Sequence, residues 1–297
     1  MAVNDPRGRE ARQLSLLTAA GSVVFTVVLF VGYWLSGSDL ALAQAADSLL
    51  DGVALGVLAW TVQVARIPAD EDHPFGHTPA EPIGALVTAV FAGVLGFEVG
   101  RSAISSLLAA EPWEPVTWLL PLFGAKAVFK LGVFLAARRT AGSASTPSPA
   151  MRAMMVDARN DIATSLLAVG GYFAAQRGYP WMDAVLALPL ALWILYSGID
   201  LARENIHLLM GAAPPVERQE ELTRLVQELP GVLDAHHLRA HYLGAALFVH
   251  VHVVVDGEHS LRAAHDIAEG VRKRVEAEKD IVSCSVHIDV LDDETLP

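Results

Sequence analysis

Residues 43–60, AQAADSLLDGVALGVLAW, and residues 154–171, MMVDARNDIATSLLAVGG, each carry two aspartates in hydrophobic company: Asp47 and Asp51 in the first, Asp157 and Asp161 in the second. The i, i+4 spacing puts both carboxylates of a pair on one face of an α-helix, roughly 5–6 Å apart at Cβ. Both stretches read as membrane helices, where an ionised Asp at mid-bilayer costs at least about 2.5–3.5 kcal/mol. Four such groups need a compensating cation. Two pairs on facing helices offer their carboxylate oxygens around one point, a donor set that suits a divalent metal. One pair alone would equally cap a helix end or face a wet loop. Two pairs of identical spacing in separate apolar segments point to a metal site.

The rest of the chain is that of a polytopic membrane protein: 297 residues, 53% of them hydrophobic, with a positive mean hydropathy. The formal charge of −12 is unevenly placed, since residues 216–297 hold eight Lys and Arg against sixteen Asp and Glu, a net of −8. That balance excludes a nucleic-acid surface and predicts an acidic soluble domain at the C-terminal end. The single cysteine, Cys284, excludes an intramolecular disulfide and a Cys-cluster zinc site, and in a predicted strand it reads as a packed small hydrophobe. Residues 1–13 are polar and the first apolar run is long enough to span, so no cleavable signal peptide is expected.

Hydropathy predicts six spans, at residues 15–35, 40–64, 83–108, 118–137, 150–175 and 181–202. The first two form a hairpin about a Ser-Gly-Ser-Asp turn. A polar loop covers 66–79, a turn 111–115, and a flexible linker 138–149, which contains TAGSASTPSP. The chain therefore divides into a tail at 1–14, a six-helix domain at 15–209 and a soluble domain at 210–297. Arg7, Arg9, Arg12, Arg66, Arg138, Arg139 and Arg203 fall on one side of this drawing and only Arg177 on the other, which makes both termini cytoplasmic. Within the spans, Glu98 and Arg101 are spaced to pair with each other, and Lys126 and Lys130 are expected to snorkel; all four read as structural.

The C-terminal domain alternates differently. VERQEELTRLVQELP (216–230) is an amphipathic helix, and GVLDAHHLRAHYLG (231–244) is a strand running to a turn. AALFVHVHVVVD (245–256) alternates as a half-buried strand, 260–277 is a helix opened by an N-cap Ser260, and IVSCSVHIDVL (281–291) is a third strand. The order αββαβ predicts two helices on one face of a small sheet. Eight of the eleven histidines lie here: His236, His237, His241, His250, His252, His259, His265 and His287. His250 and His252 share a strand face, as do His287 and Asp289. They read equally as an N/O site of the Zn2+ type or as exposed strand faces that tolerate histidine.

Six spans with Asp-x-x-x-Asp in the second and fifth, the loop DEDHPFGHTPAEPIGAL (70–86) and the αββαβ tail together resemble the cation diffusion facilitator family, the zinc and manganese exporters. The resemblance covers essentially the whole chain, and Asp-x-x-His-x-Phe-Gly-His in the loop is its most specific local match. It implies an α-helical membrane protein of six transmembrane helices with a cytoplasmic α+β domain of ferredoxin-like, metallochaperone-like form. It assigns Asp47, Asp51, Asp157 and Asp161 to the transport site, and Asp70, His73 and His77 to a loop metal site. A binuclear site in the cytoplasmic metal-binding and dimerisation domain matches His236, His252, His265, His287 and Asp289 through the strings DAHHLR, FVHVH, RAAH and VHID. It further implies a homodimer in the cell's inner membrane that exports a divalent cation in exchange for protons by alternating access. The metal is then cargo and also a structural or regulatory ligand, with no organic cofactor.

Three departures qualify this resemblance. Zinc-type members usually carry His at the first fifth-span position, where this chain has Asp157, so the site becomes all-oxygen and harder, favouring Mn2+ or Fe2+ relative to Zn2+. The all-aspartate pairs resemble the manganese branch, although Zn2+ also accepts carboxylates and stands above Mn2+ in intrinsic affinity. Thr78 and Pro79 stand where some members have a basic residue after the loop motif. The His-rich loop that many eukaryotic zinc carriers have between the fourth and fifth spans is missing.

A cation entering four carboxylates must displace any protons they hold, so metal and proton compete for one site, and alternate exposure to the two sides turns competition into antiport. The tail then acts as a sensor or dimer clasp that gains stability when metal neutralises its acidic, His-bearing surface. Two other classes stand beside this one. A cation channel could line its path with Asp, but no filter segment is evident; a non-transporting sensor or scaffold would have no need of buried carboxylates. No phosphate-binding Gly-Lys-Ser/Thr string and no nucleophile–base pair supports an enzyme.

Overall fold

The computed structural model describes residues 6–36, 39–109, 117–141, 148–179, 181–244, 246–278 and 280–290. The turn expected at 111–115, part of the Ser-Gly-Ser-Asp turn, residues 142–147 of the expected linker and the first five residues of the tail lie outside them. The chain forms two compact units, one ending at Ile206 and one beginning at His207.

The first unit is built from six helices: α1 (Pro6–Ser36), α2 (Asp39–Val64), α3 (Ala80–Ala109), α4 (Leu119–Ala141), α5 (Pro149–Gln176) and α6 (Trp181–Leu209). Five of them, all but α5, are long and apolar enough to cross a membrane. The fifth span expected from the sequence is present as a 28-residue helix, but Arg152, Asp157, Arg159 and Asp161 keep it below that apolarity. It packs against α4 and α3, and its first half buries Met151, Ala153, Met154, Val156 and Ala158. The expected linker also gives way at its start, because α4 continues through Arg138 and Arg139 to Ala141.

The unit's outer surface is apolar, and its interior holds polar side chains among the apolar ones. Val24, Phe30, Val90, Phe97, Val128, Leu192 and Tyr196 are exposed, whereas Ser15, Thr18, Ser22, Ser48, Thr88, Ser165 and Asn205 are buried. Thr18 and Thr26 of α1 are satisfied locally, Thr18 donating to Leu14 O at 2.8 Å and Thr26 to Ser22 O at 2.9 Å. Lipid imposes this arrangement, since polar groups find partners only inside the bundle. Small residues allow the close approach: a Cβ added at Gly198 of α6 would lie 3.2 Å from the Ala89 carbonyl of α3. The interior is filled by Leu55, Leu58 and Val62 of α2, Ala85 and Ala89 of α3, Met151 and Met154 of α5, and Leu201 of α6.

The second unit continues with α7 (Val216–Gln227), β1 (Asp234–Leu243), β2 (Ala246–Val255), α8 (Leu261–Glu276) and β3 (Ile281–Val290). The sheet order is β1-β2-β3, with β1 antiparallel and β3 parallel to the central β2. Ser260 caps α8 as its sequence predicts, its Oγ accepting from Ala263 N at 3.2 Å. Leu222 and Val226 of α7 and Val271 and Val275 of α8 close over Leu247, Val249, Val251, Val253 and Val255 of β2. Each such buried side chain stabilises the domain by about 1.5–3 kcal/mol. The simple half-buried alternation expected of β2 is not kept: Phe248 and Val254, on the face away from this core, are buried too. β2 is the middle strand, and the His241 ring of β1 stacks on Phe248 with centroids 5.8 Å apart.

Candidate metal centres

Asp47 and Asp51 lie one turn apart on α2, and Asp157 and Asp161 one turn apart on α5. Asp51 and Asp161 are buried, and Asp161 is only 1% exposed. Asp47, Asp51 and Asp161 each present an oxygen within 4.8 Å of the others. Asp157 is beside them and accepts from Lys130 Nζ at 2.7 Å. All four line a cavity of about 260 Å3, together with Thr88, Asn160 and Glu98. Glu98 also accepts from Arg101 Nε at 2.9 Å, so that pair forms as its spacing predicts.

The two lysines of α4 are not at an interface. Lys126 and Lys130 are 5% and 1% exposed, and both ammoniums reach into the aspartate cluster. Lys126 Nζ lies 3.1 Å from Asp47, 3.6 Å from Asp51 and 3.3 Å from Asp161. Lys130 Nζ lies 3.4 Å from Asp51 and 2.7 Å from Asp157, and it also pairs with Asp161. The expectation that they snorkel is therefore corrected. Their own i, i+4 spacing, the same as that of the two aspartate pairs, puts both ammoniums on one face of α4.

In the loop between α2 and α3, Asp70, His73 and His77 come together. Asp70 Oδ1 accepts from His73 N at 2.7 Å, and Gly76, at φ +85°, turns the chain so that its N–H reaches His73 O at 2.9 Å. His73 Nδ1 and His77 Nε2 then stand 3.4 and 3.5 Å from the Asp70 carboxylate, with ring centroids 4.3 Å apart. The backbone N–H of His73 holds the exposed Asp70 carboxyl below the usual carboxylate range. Two imidazoles about one ionised carboxylate form an N/O donor set that fits a borderline divalent ion.

The third group lies on the face of the sheet opposite α7 and α8. His236, His252 and His287 are aligned across β1, β2 and β3 by register. One carboxylate serves all three: Asp289 lies 3.2 Å from His236 Nε2, 3.0 Å from His252 Nδ1 and 3.1 Å from His287 Nε2. His265 is not gathered with them. It sits exposed on α8, its Nδ1 3.5 Å from Asp266, and α8 packs on the other face of the sheet. His237, passed over by the sequence reading of this site, joins instead. Adjacent residues in a regular strand point to opposite faces, but the register slips between His236 and Arg239 and His237 takes φ +48°. This bulge brings donor atoms of His236, His237 and His252 within 4.8 Å of one another. A non-glycine residue held at positive φ costs of order 1–3 kcal/mol and marks sites where a side chain is being aimed.

The model of the cation efflux transmembrane domain matches residues 15–210, and that of the cation efflux protein cytoplasmic domain matches residues 214–290. The chain belongs to the cation efflux, or cation diffusion facilitator, family. Among similar proteins, a cation-efflux pump FieF from Klebsiella pneumoniae (strain 342) is 27% identical over 281 residues, covering 92% of this chain and 90% of its own. Metal tolerance protein C1 of Arabidopsis thaliana is 27% identical over 299 residues, 95% of this chain and 63% of its own. Among solved structures, a variant of the MamM C-terminal domain is 30% identical, covering 24% of this chain and 91% of its own, at a TM-score of 0.24. As a cation efflux protein the chain is a membrane transporter and not an enzyme, and its second unit corresponds to a dimerisation domain.

Proposed function

We propose that this cation efflux protein exports divalent metal from the cytoplasm in exchange for protons by alternating access, with Mn2+ the favoured cargo and Zn2+ and Fe2+ as alternatives. The observation that carries this is the convergence of Asp47, Asp51 and Asp161, from two helices, on one buried point beside Asp157 and a 260 Å3 cavity. Four carboxylates and no imidazole make a hard donor set, which favours Mn2+ more than a His-bearing site would. Carboxylates that take up the cation give up any proton they hold, so the two cargoes compete for the same oxygens.

On this reading α5 also crosses the membrane, as the fifth of six spans, its charged residues turned to neighbouring helices rather than to lipid. Arg9, Arg12, Arg66, Arg138, Arg139 and Arg203 fix both termini on the cytoplasmic side of the inner membrane. Residues 15–209 carry the cargo. Residues 210–297 form the cytoplasmic half of a homodimer, with His236, His252, His287 and Asp289 holding a regulatory ion. The loop site at Asp70, His73 and His77 is a further metal position, and His265 stands apart from the sheet-face ion.

The test is uptake of Mn2+, Zn2+ and Fe2+ into proteoliposomes carrying an imposed pH gradient, with proton flux read alongside. Native protein moves Mn2+ with proton counterflow, Asp51→Ala is inactive, and Asp157→His shifts preference toward Zn2+ by about tenfold. Native rates in Asp51→Ala would overturn the proposal.

A further inference from the structure

The carboxylates that receive the cargo already hold two cations of the protein's own. We infer that Lys126 and Lys130 are built-in counter-cations that occupy the site between cargo ions and weaken its hold on cargo, so that the ion is released. This rests on the four-aspartate transport site proposed above. A lysine on a membrane helix ordinarily extends its ammonium toward the interface. Both of these turn inward instead, to 5% and 1% exposure. Each meets carboxylates from both α2 and α5: Lys126 reaches Asp47, Asp51 and Asp161, and Lys130 reaches Asp51, Asp157 and Asp161.

Two consequences follow from charge and position. With its four Asp ionised and its two Lys charged, the cluster carries a formal −2, equal and opposite to one divalent cation. Without the lysines it would carry −4 in a low-dielectric interior, where excess opposite charge binds tightly and lets go slowly. The Lys126 ammonium also stands among Asp47, Asp51 and Asp161, the three carboxylates whose oxygens already lie close enough to share an ion. Cargo entering there displaces an ammonium from the oxygens it needs, and the ammonium returns as cargo leaves. The lysines thus lower affinity and raise turnover. A lysine that served only to hold the fold would do neither.

The experiment measures Mn2+ affinity by titration calorimetry on the full-length protein in nanodiscs and Mn2+ turnover in proteoliposomes. The variants are Lys126→Met, Lys130→Met, Lys126→Arg and Asp51→Ala. Methionine keeps the length and removes the charge; it is expected to tighten Mn2+ binding about tenfold or more and slow turnover by a similar factor. Lys126→Arg keeps the charge and stays within about threefold of native affinity. Where Lys130→Met is not recovered as a monodisperse protein, Lys126→Met, at the less buried position, carries the test. Unchanged or weaker affinity in the Met variants, with the transport-site component of the isotherm lost in Asp51→Ala while the loop and sheet-face components remain, overturns the counter-cation role and leaves the cargo site standing. An isotherm for Asp51→Ala with no component lost relative to native overturns both.

Discussion

Cys284, the chain's single cysteine, reports on the packing of the second unit and through it on the histidine face. Its side chain lies in the core with Val249, Val251, Val271 and Val275 and is 4% exposed. Burial, with the nearby Glu276 carboxylate adding to it, pushes the thiol up to about 12. An unfolded thiol ionises near 8.5. At pH 8 about a quarter of unfolded thiols are thiolate against about one in ten thousand folded ones, roughly a 2,000-fold difference in nucleophile alone. Iodoacetamide should therefore label the full-length protein at pH 8 at least about a thousandfold more slowly than the urea-unfolded chain. Because the folded value lies above the unfolded one, the thiol's contribution to stability is whole below about pH 8.5 and is lost as pH rises toward about 12. Labelling should accelerate over that window. A metal that binds the folded sheet slows opening by the factor 1 + [M]/Kd, about a hundredfold at 100 times Kd. Cys284 faces the helices and the histidines face away, so any protection by Zn2+ or Mn2+ acts through stability and not through contact. Asp289→Ala, which removes the carboxylate shared by three imidazoles, should abolish it. Native labelling within about tenfold of the unfolded rate would refute the packing argument, and undiminished metal protection in Asp289→Ala would refute the sheet-face site.

The histidines of the second unit separate by position. His252→Ala should weaken metal binding by the full-length protein at least about tenfold, whereas His265→Ala, on the other side of the sheet, should change that affinity less than about twofold, both read by calorimetry. His237→Gly relieves the positive φ and should stabilise the metal-free domain by about 1 kcal/mol in urea unfolding while weakening its metal affinity. A destabilised His237→Gly would mean that the bulge costs nothing and is not held for a ligand.

The helices, the order αββαβ and the gathering of aspartates and histidines were legible because each follows from a period. Spacing i, i+4 decides which carboxylates share a helix face, and alternation decides which imidazoles share a strand face. What was hidden depends on neighbours. A lysine's direction is set by what surrounds its ammonium, and Lys126 and Lys130 turn inward because carboxylates from two other helices wait there. His237 was hidden because a one-residue bulge reverses the face that alternation assigns. The separation of His265 from the sheet-face group was hidden because a helical histidine near strand histidines in sequence can lie across the whole thickness of a sheet from them.

On the proposed reading, the donor sets divide by the lifetime that each site demands of its ion. At the four-aspartate site the donors are carboxylates alone, and on that reading two ammoniums compete with cargo for them, so an ion is held by charge that the protein can itself supply. Carboxylate oxygens bind hard divalent ions without strong geometric preference, and a site of that kind can exchange its occupant. On the sheet face the donors are His236, His237, His252 and His287 around one Asp289, on strands fixed by register. No lysine or arginine reaches Asp289 among the described residues, so an ion there meets no internal rival and its occupancy follows its concentration. On the proposed reading, the site that must release has a competitor built into it and the site that must report does not.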